Sequence, residues 1–167
     1  MISPRTRARL AFAYTSTRRP TARWRTLPTL LIIGAQRCGT SSLFKYLGAH
    51  PRCKASIRKE VRFFTQYYDR GENWYRSHFP LALSGDSGST GVTFEASPDY
   101  LLDPRTPSRV VRHLPDIRLI AILRNPIERA YSHYRHFRRL GLEELPFEEA
   151  LHREPERIQP DLERLQT

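Results

Sequence analysis

The sequence predicts an α/β fold in three layers, a parallel sheet flanked by helices. Two observations carry this. Thr29–Ile33 and Ile117–Leu123 are apolar, β-rich runs without the alternation of a half-solvated strand. Each ends in a polar loop, and a helical pattern follows. Strands that alternate with helices imply parallel pairing and a sheet covered on both faces. No internal repeat competes with this reading.

The elements follow in order. Thr29–Ile33 is the first strand and Thr40–Leu47 its helix, ended by Gly48-Ala49-His50-Pro51. Lys54–Ile57 reads as a short strand and Glu60–Phe64 as a turn or short helix. Gly71–Phe79 places Trp74, Tyr75 and Phe79 at roughly helical spacing, a packing set rather than a base-stacking platform. Leu83–Gly91 is a Gly/Ser-rich loop and Val92–Glu95 a strand. Thr106–His113 is helical, with Val110, Val111 and Leu114 turned inward. Ile117–Leu123 is the next buried strand. Its helix, Pro126–Leu140, starts with Asn125 as N-cap and proline at the first helical position. Pro146–Arg153 is a last helix, with Phe147 and Leu151 on one face.

Length and charge bound the organisation. At 167 residues the chain is one domain by length. Residues 1–59 carry 13 lysines and arginines and no acid, so the net charge of +11 is concentrated there. Residues 1–26 hold seven arginines among Ser, Thr, Pro and Ala and read as a disordered basic arm. A solvated tail is the plain interpretation; an RNA or membrane-surface contact and a transit peptide are the alternatives. Residues 27–167 form the folded domain. No run approaches the ~20 apolar residues of a membrane span. No signal-peptide core is evident, so the expected location is cytoplasmic. The two cysteines, Cys38 and Cys53, make neither a metal set nor a disulfide framework.

The first strand–helix connection is Gly34-Ala35-Gln36-Arg37-Cys38-Gly39-Thr40-Ser41. Its glycines have the spacing of a phosphate-binding loop, and free N–H groups at a helix N-terminus attract an anion. The expected ligand is a nucleotide-like phosphate or sulfate ester. The bland alternative is a glycine turn with no ligand. The lysine of a Walker loop is missing, since Thr40 follows Gly39, and the loop cation is Arg37. A Walker B strand ends in aspartate to hold magnesium, whereas the second strand here ends in Arg124. Both departures disfavour a magnesium-dependent kinase. Two strand ends thus carry cations at the edge where open α/β sheets bind ligands.

These two segments, with Lys59-Glu60-Val61-Arg62-Phe63-Phe64 and Glu95-Ala96-Ser97-Pro98-Asp99-Tyr100 between them, resemble the sulfotransferases that use 3′-phosphoadenosine 5′-phosphosulfate (PAPS). The likeness is closest to the heparan-sulfate-type and bacterial branch. It implies a P-loop-like fold, incomplete here at its C-terminal end, because nothing after Glu143 resembles the family's later strands and basic loop. It assigns Gly34, Gln36, Arg37, Cys38, Gly39, Thr40 and Ser41 to the 5′-phosphosulfate, and Arg124 and Ser132 to the 3′-phosphate. It makes Glu60 the base for the acceptor's proton and Arg37 the stabiliser of charge on the bridging oxygen; no metal is required. Sequence alone shows Glu60 only as a carboxylate among Arg58, Lys59 and Arg62, equally readable as an ion-paired structural residue. Arg37 stands where heparan-sulfate-type members usually carry lysine, and Ala96 where some carry a substrate-contacting lysine. Glu95 reads either as a residue that orients the site or, preferably, as the partner of an arginine. His133, Arg135 and His136 read as surface or cofactor-edge residues. The expected activity is sulfuryl transfer to a hydroxyl or amine acceptor, carbohydrate first, with no specific nucleic-acid partner. The rival readings are a non-catalytic remnant that at most binds nucleotide, and a nucleic-acid binder working through the arm.

Overall fold

The structure, a computed structural model, describes residues 14–82 and 91–166. Four strands form one parallel sheet: β1 (Leu30–Gly34), β2 (Cys53–Ala55), β3 (Val92–Ala96) and β4 (Arg118–Ala121), in the order β2-β3-β1-β4. β1 lies at the centre of the register, with Leu31 opposite Glu95 of β3 and Leu119 of β4. The helices are α1 (Thr40–Ala49), α2 (Glu72–Arg76), α3 (Thr106–His113), α4 (Pro126–Arg139) and α5 (Phe147–Gln166).

Alternation along β1 divides the core into two faces, as the pleat requires. Leu30 and Ile32 join Phe94 and Ala96 on the face covered by Leu43, Phe44 and Leu47 of α1. Leu31 turns the other way, into a cluster of Val61, Phe63, Phe64, Trp74, Tyr75, Phe79, Tyr100, Val110 and Leu114. Phe63 stacks on Tyr75 with centroids 4.5 Å apart. The aromatic run at 74–79 is therefore packing, and the three layers of the sequence reading are present.

Several expectations are corrected. Val111 is 65% exposed, because Val110 and Leu114, one turn apart, take the inward face of α3. The run at 117–123 is no buried strand: β4 is the edge of the sheet, with Leu119 53% and Leu123 74% exposed. Continuous apolar character marks a strand but not its place in the sheet. The last helix runs past Arg153 through Pro155 and Pro160. Proline's missing N–H favours a stop there in sequence. Its first turn still packs as expected, with Phe147 against Tyr131 and Tyr134 of α4 at 5.2 and 5.1 Å.

The basic N-terminal stretch is also partly folded. Residues 14–18 are helical and lead into a 3-10 turn at Arg19–Trp24. Arg25 forms an antiparallel bridge with Leu81. Its guanidinium donates to the Phe79 carbonyl at 2.9 Å and to Thr21 Oγ1. Arg18 donates to the same carbonyl. Composition reads these arginines as free charge; they serve instead as backbone clamps. Residues 1–13 of the expected arm, and most of the Gly/Ser-rich loop, lie outside the described residues. No described helix is long and apolar enough to cross a membrane.

Candidate functional site

The carboxyl ends of β1, β3 and β4 open into a cleft of about 440 Å3. Gln36, Arg37, Gly39, Thr40, Ser41, Glu60, Arg124 and Ser132 line it, joined by Lys59, Arg62, Pro98 and His136. Four sequence-distant segments thus meet where the strand order reverses about β1, the usual ligand position in such sheets.

In the loop after β1 the Ala35 and Cys38 N–H groups donate to the Ile122 and Ala35 carbonyls, and the loop leads into the open first turn of α1. Gly39, at the N-cap of α1, has φ 94°, a region glycine enters at little cost, and it offers no side-chain cap. The first N–H groups of a helix have no acceptor within it, so they and the dipole favour an anion in the cleft. Gly34 and Cys38, read as part of the same loop, do not line the cleft. Gly34 lets the loop pass Leu101, whose Cβ would lie 2.7 Å from an added Cβ. Cys38 is buried, with its thiol directed at the Gln36 carbonyl.

The opposite wall comes from α4. Asn125 Oδ1 accepts the Ile127 and Glu128 N–H groups, the predicted cap, and so fixes the helix start beside Arg124. Ser132 faces the loop, and Arg37 Nε reaches its hydroxyl at 3.4 Å. Arg124 is held by Glu128 at 2.9 Å, an exposed pair that a stronger anion can displace.

The floor carries Glu60. Its carboxylate bonds Lys59 Nζ at 2.9 Å and Arg62 at 2.6 Å. Partial burial raises its pKa, but the hydrogen bonds and charges of Lys59 and Arg62 outweigh burial and hold it below the ordinary carboxylate value. Of the cations that flank Glu60 in sequence, Lys59 and Arg62 are paired with it in the structure. Among the described residues three non-glycines have positive φ: Arg37 (66°), Glu60 (61°) and Arg62 (57°). All three line the cleft, the usual place for backbone strain.

Glu95 corrects the sequence reading. It is fully buried and, among the described residues, pairs with no arginine; its carboxylate accepts from Tyr75, Tyr100 and Ser97. Lys59, Arg62 and Pro98 were quoted in the motifs without a place in the site. The signal for the two cations was their flanking of Glu60. His136 fits its reading as a residue of the site's edge. No three His, Cys, Asp or Glu residues converge as a metal set among the described residues.

Comparison with known proteins agrees with this architecture. The sulfotransferase domain profile matches residues 27–159. Heparan sulfate glucosamine 3-O-sulfotransferase 6 of Homo sapiens is 38% identical over 110 residues, covering 66% of this chain and 30% of that protein. The membrane-associated sulfotransferase kil1 of Dictyostelium discoideum is 34% identical over 140 residues, 80% of this chain and 29% of its own. A crystal structure of a sulfotransferase from Alicyclobacillus acidocaldarius superposes with a TM-score of 0.63 at 36% identity, covering 81% of this chain and 60% of that one. The chain thus spans less than a third of the length of these two curated relatives. With one profile running through every segment that builds the cleft, the chain belongs to the sulfotransferase family, on its heparan sulfate sulfotransferase-like side.

Proposed function

We propose that the cleft takes PAPS and transfers its sulfuryl group to a hydroxyl or amine acceptor, with carbohydrate as the acceptor class. The observation that carries this reading is the meeting of Arg124 and Ser132 with the loop and Glu60 in one cleft. A cleft of about 440 Å3 is of a size for a nucleotide-like ligand, and cations line it from the loop, the floor and α4. The residues present therefore fit the group. The carbohydrate class comes from relatives named for heparan sulfate.

When bound, PAPS supplies an activated sulfuryl group for in-line displacement. The first-turn N–H groups of α1, with Thr40 and Ser41, hold its 5′ end. Arg124 and Ser132 select the 3′-phosphate through charge-assisted bonds. Arg37, already touching Ser132, lies between these sets and stabilises negative charge on the leaving side. Glu60 takes the acceptor's proton. Held ionised by Lys59 and Arg62, it is ready to accept but weakly basic, so the proton moves only as the acceptor bond forms.

The test is calorimetric titration with 3′-phosphoadenosine 5′-phosphate, with ADP as control and EDTA present. The bisphosphate is expected to bind and ADP not. Arg124→Ala is expected to weaken binding by about 10- to 100-fold, the size of a lost bond to a charged group. No binding by a folded chain would replace this reading with that of a non-catalytic remnant.

A further inference from the structure

The turn that carries Glu60 belongs to no helix or strand, yet two of its residues hold left-handed backbone angles. Such a conformation persists in non-glycine residues only where the surroundings over-determine it. Three amides of this turn are held by one segment, residues 95–100. Glu60 N–H donates to the Ala96 carbonyl at 2.9 Å. Arg62 N–H donates to Ser97 Oγ at 3.0 Å, and Phe63 N–H to Tyr100 Oη at 2.9 Å.

Behind those two hydroxyls lies one buried carboxylate. Tyr100 donates to Glu95 Oε1 at 2.8 Å and Ser97 to Glu95 Oε2 at 2.9 Å; Tyr75 adds a third bond at 2.8 Å. A hydroxyl has one proton and two lone pairs. Once Glu95 takes the protons of Ser97 and Tyr100, their lone pairs face the turn and accept its amides. Once ionised, above a pKa that burial raises to about 7, Glu95 is acceptor-only and sets the direction of the whole relay. A side chain with its own N–H would compete for the same lone pairs.

We propose that Glu95 is a positioning residue which, through Ser97 and Tyr100, holds the left-handed turn that presents Glu60 to the cleft. Its catalytic meaning rests on the reading of Glu60 as the base. Glu95 itself has no exposed surface and lines no part of the cleft. It acts on the site only through the turn.

The test compares Glu95→Gln with the parent chain by amide hydrogen exchange, by titration of the Glu60 carboxyl in NMR, and by bisphosphate calorimetry. Exchange at Arg62 and Phe63 is expected to quicken about tenfold relative to amides of β1 and β3, the effect of one weakened hydrogen bond. The Glu60 midpoint is expected to rise toward the ordinary carboxylate range as Lys59 and Arg62 lose their fixed places beside it. Bisphosphate affinity is expected to hold. Exchange that quickens uniformly across the sheet, with the Glu60 titration unmoved, would make Glu95 a general core residue and overturn the proposal. Should Glu95→Gln not fold, Ser97→Ala removes the acceptor of the Arg62 amide together with one hydrogen bond to Glu95. Faster exchange at Arg62 would then support the relay, and unchanged exchange would refute it. The base reading fails separately, if Glu60→Gln transfers sulfuryl groups as fast as the parent. The amide measurement does not depend on that result.

Discussion

Gly34 shows how one atom fixes the start of the site. A Cβ there would meet Leu101 Cβ at 2.7 Å and Cδ2 at 2.8 Å. The β-carbon of Leu101 cannot swing away as a side-chain end can, so the loop or the 3-10 turn at Pro98–Leu101 must shift. Gly34→Ala is expected to cost about 1–3 kcal/mol in urea unfolding, the range of an overpacked contact. It should also weaken bisphosphate binding by displacing the loop; unchanged values for both would show that the contact yields freely. At this scale much was legible. Asn125 caps α4 as the sequence predicts, and Gly39, Arg124 and Ser132 line the cleft, while Gly34 does not. The left-handed Arg37, Glu60 and Arg62 left no trace in sequence, because that conformation is announced by glycine and these are not glycines. Glu95 was misread for a related reason. Its partner Tyr75 is 20 residues away, and only the fold brings the two together.

At the scale of elements, the segment at 14–26 is the clearest departure from composition. Arg25 is 9% exposed and bonds Thr21 and Phe79, while Arg76 bonds the Arg25 carbonyl in return. Arg25→Ala is expected to lose about 2 kcal/mol of stability, the worth of a hydrogen bond from a charged group. Arg19→Ala, at an exposed position of the same segment, should stay within about 0.5 kcal/mol. Equal effects in chemical denaturation would mean that the segment is not clamped where the structure places it. The contrast explains the sequence reading. Arginines that cap a chain carbonyl and arginines that face water have the same letters and the same charge. For β4 the missing information was the strand order, which decides which apolar run is covered.

Two buried groups contribute to the pH dependence of stability with opposite signs. His78 is buried and its pKa is lowered to about 4, chiefly by burial, with Arg58 and Arg18 adding to the effect against carbonyl bonds at Trp74 and Tyr75. A depressed folded value means that its contribution is present above pH ~6.5 and is lost as pH falls toward 4. Glu95 is raised to about 7, by burial first; its three hydroxyl partners oppose this and Asp99 adds to it. A raised folded value means that its contribution is present below pH ~4.5 and is lost as pH rises through 7. The two terms offset one another between about pH 4.5 and 6.5. Difference measurements separate them. Urea midpoints of the parent minus those of His78→Gln should be constant above pH ~6.5 and decline below it. The difference between the parent and Glu95→Gln should instead decline from pH ~4.5 to 7. Two flat differences would place neither group in the buried state described. The fold class itself, three layers on a parallel sheet, was the most legible feature, since it needs only apolar runs and helical periodicity in alternation.

The walls of the cleft stand on opposite flanks of β1. The Glu60 turn is anchored to the β3 side through Ala96, Ser97 and Tyr100, and the Arg124–Ser132 wall follows β4. Arg37 reaches across to Ser132 from the loop between them. On the function proposed above, the groups that grip the donor and those that ready the acceptor are carried on separate stretches of chain with separate supports. On that reading, one flank could be redesigned for a new acceptor while the other keeps its hold on the nucleotide, two exchangeable jaws set on one buried central strand of five residues, Leu30–Gly34.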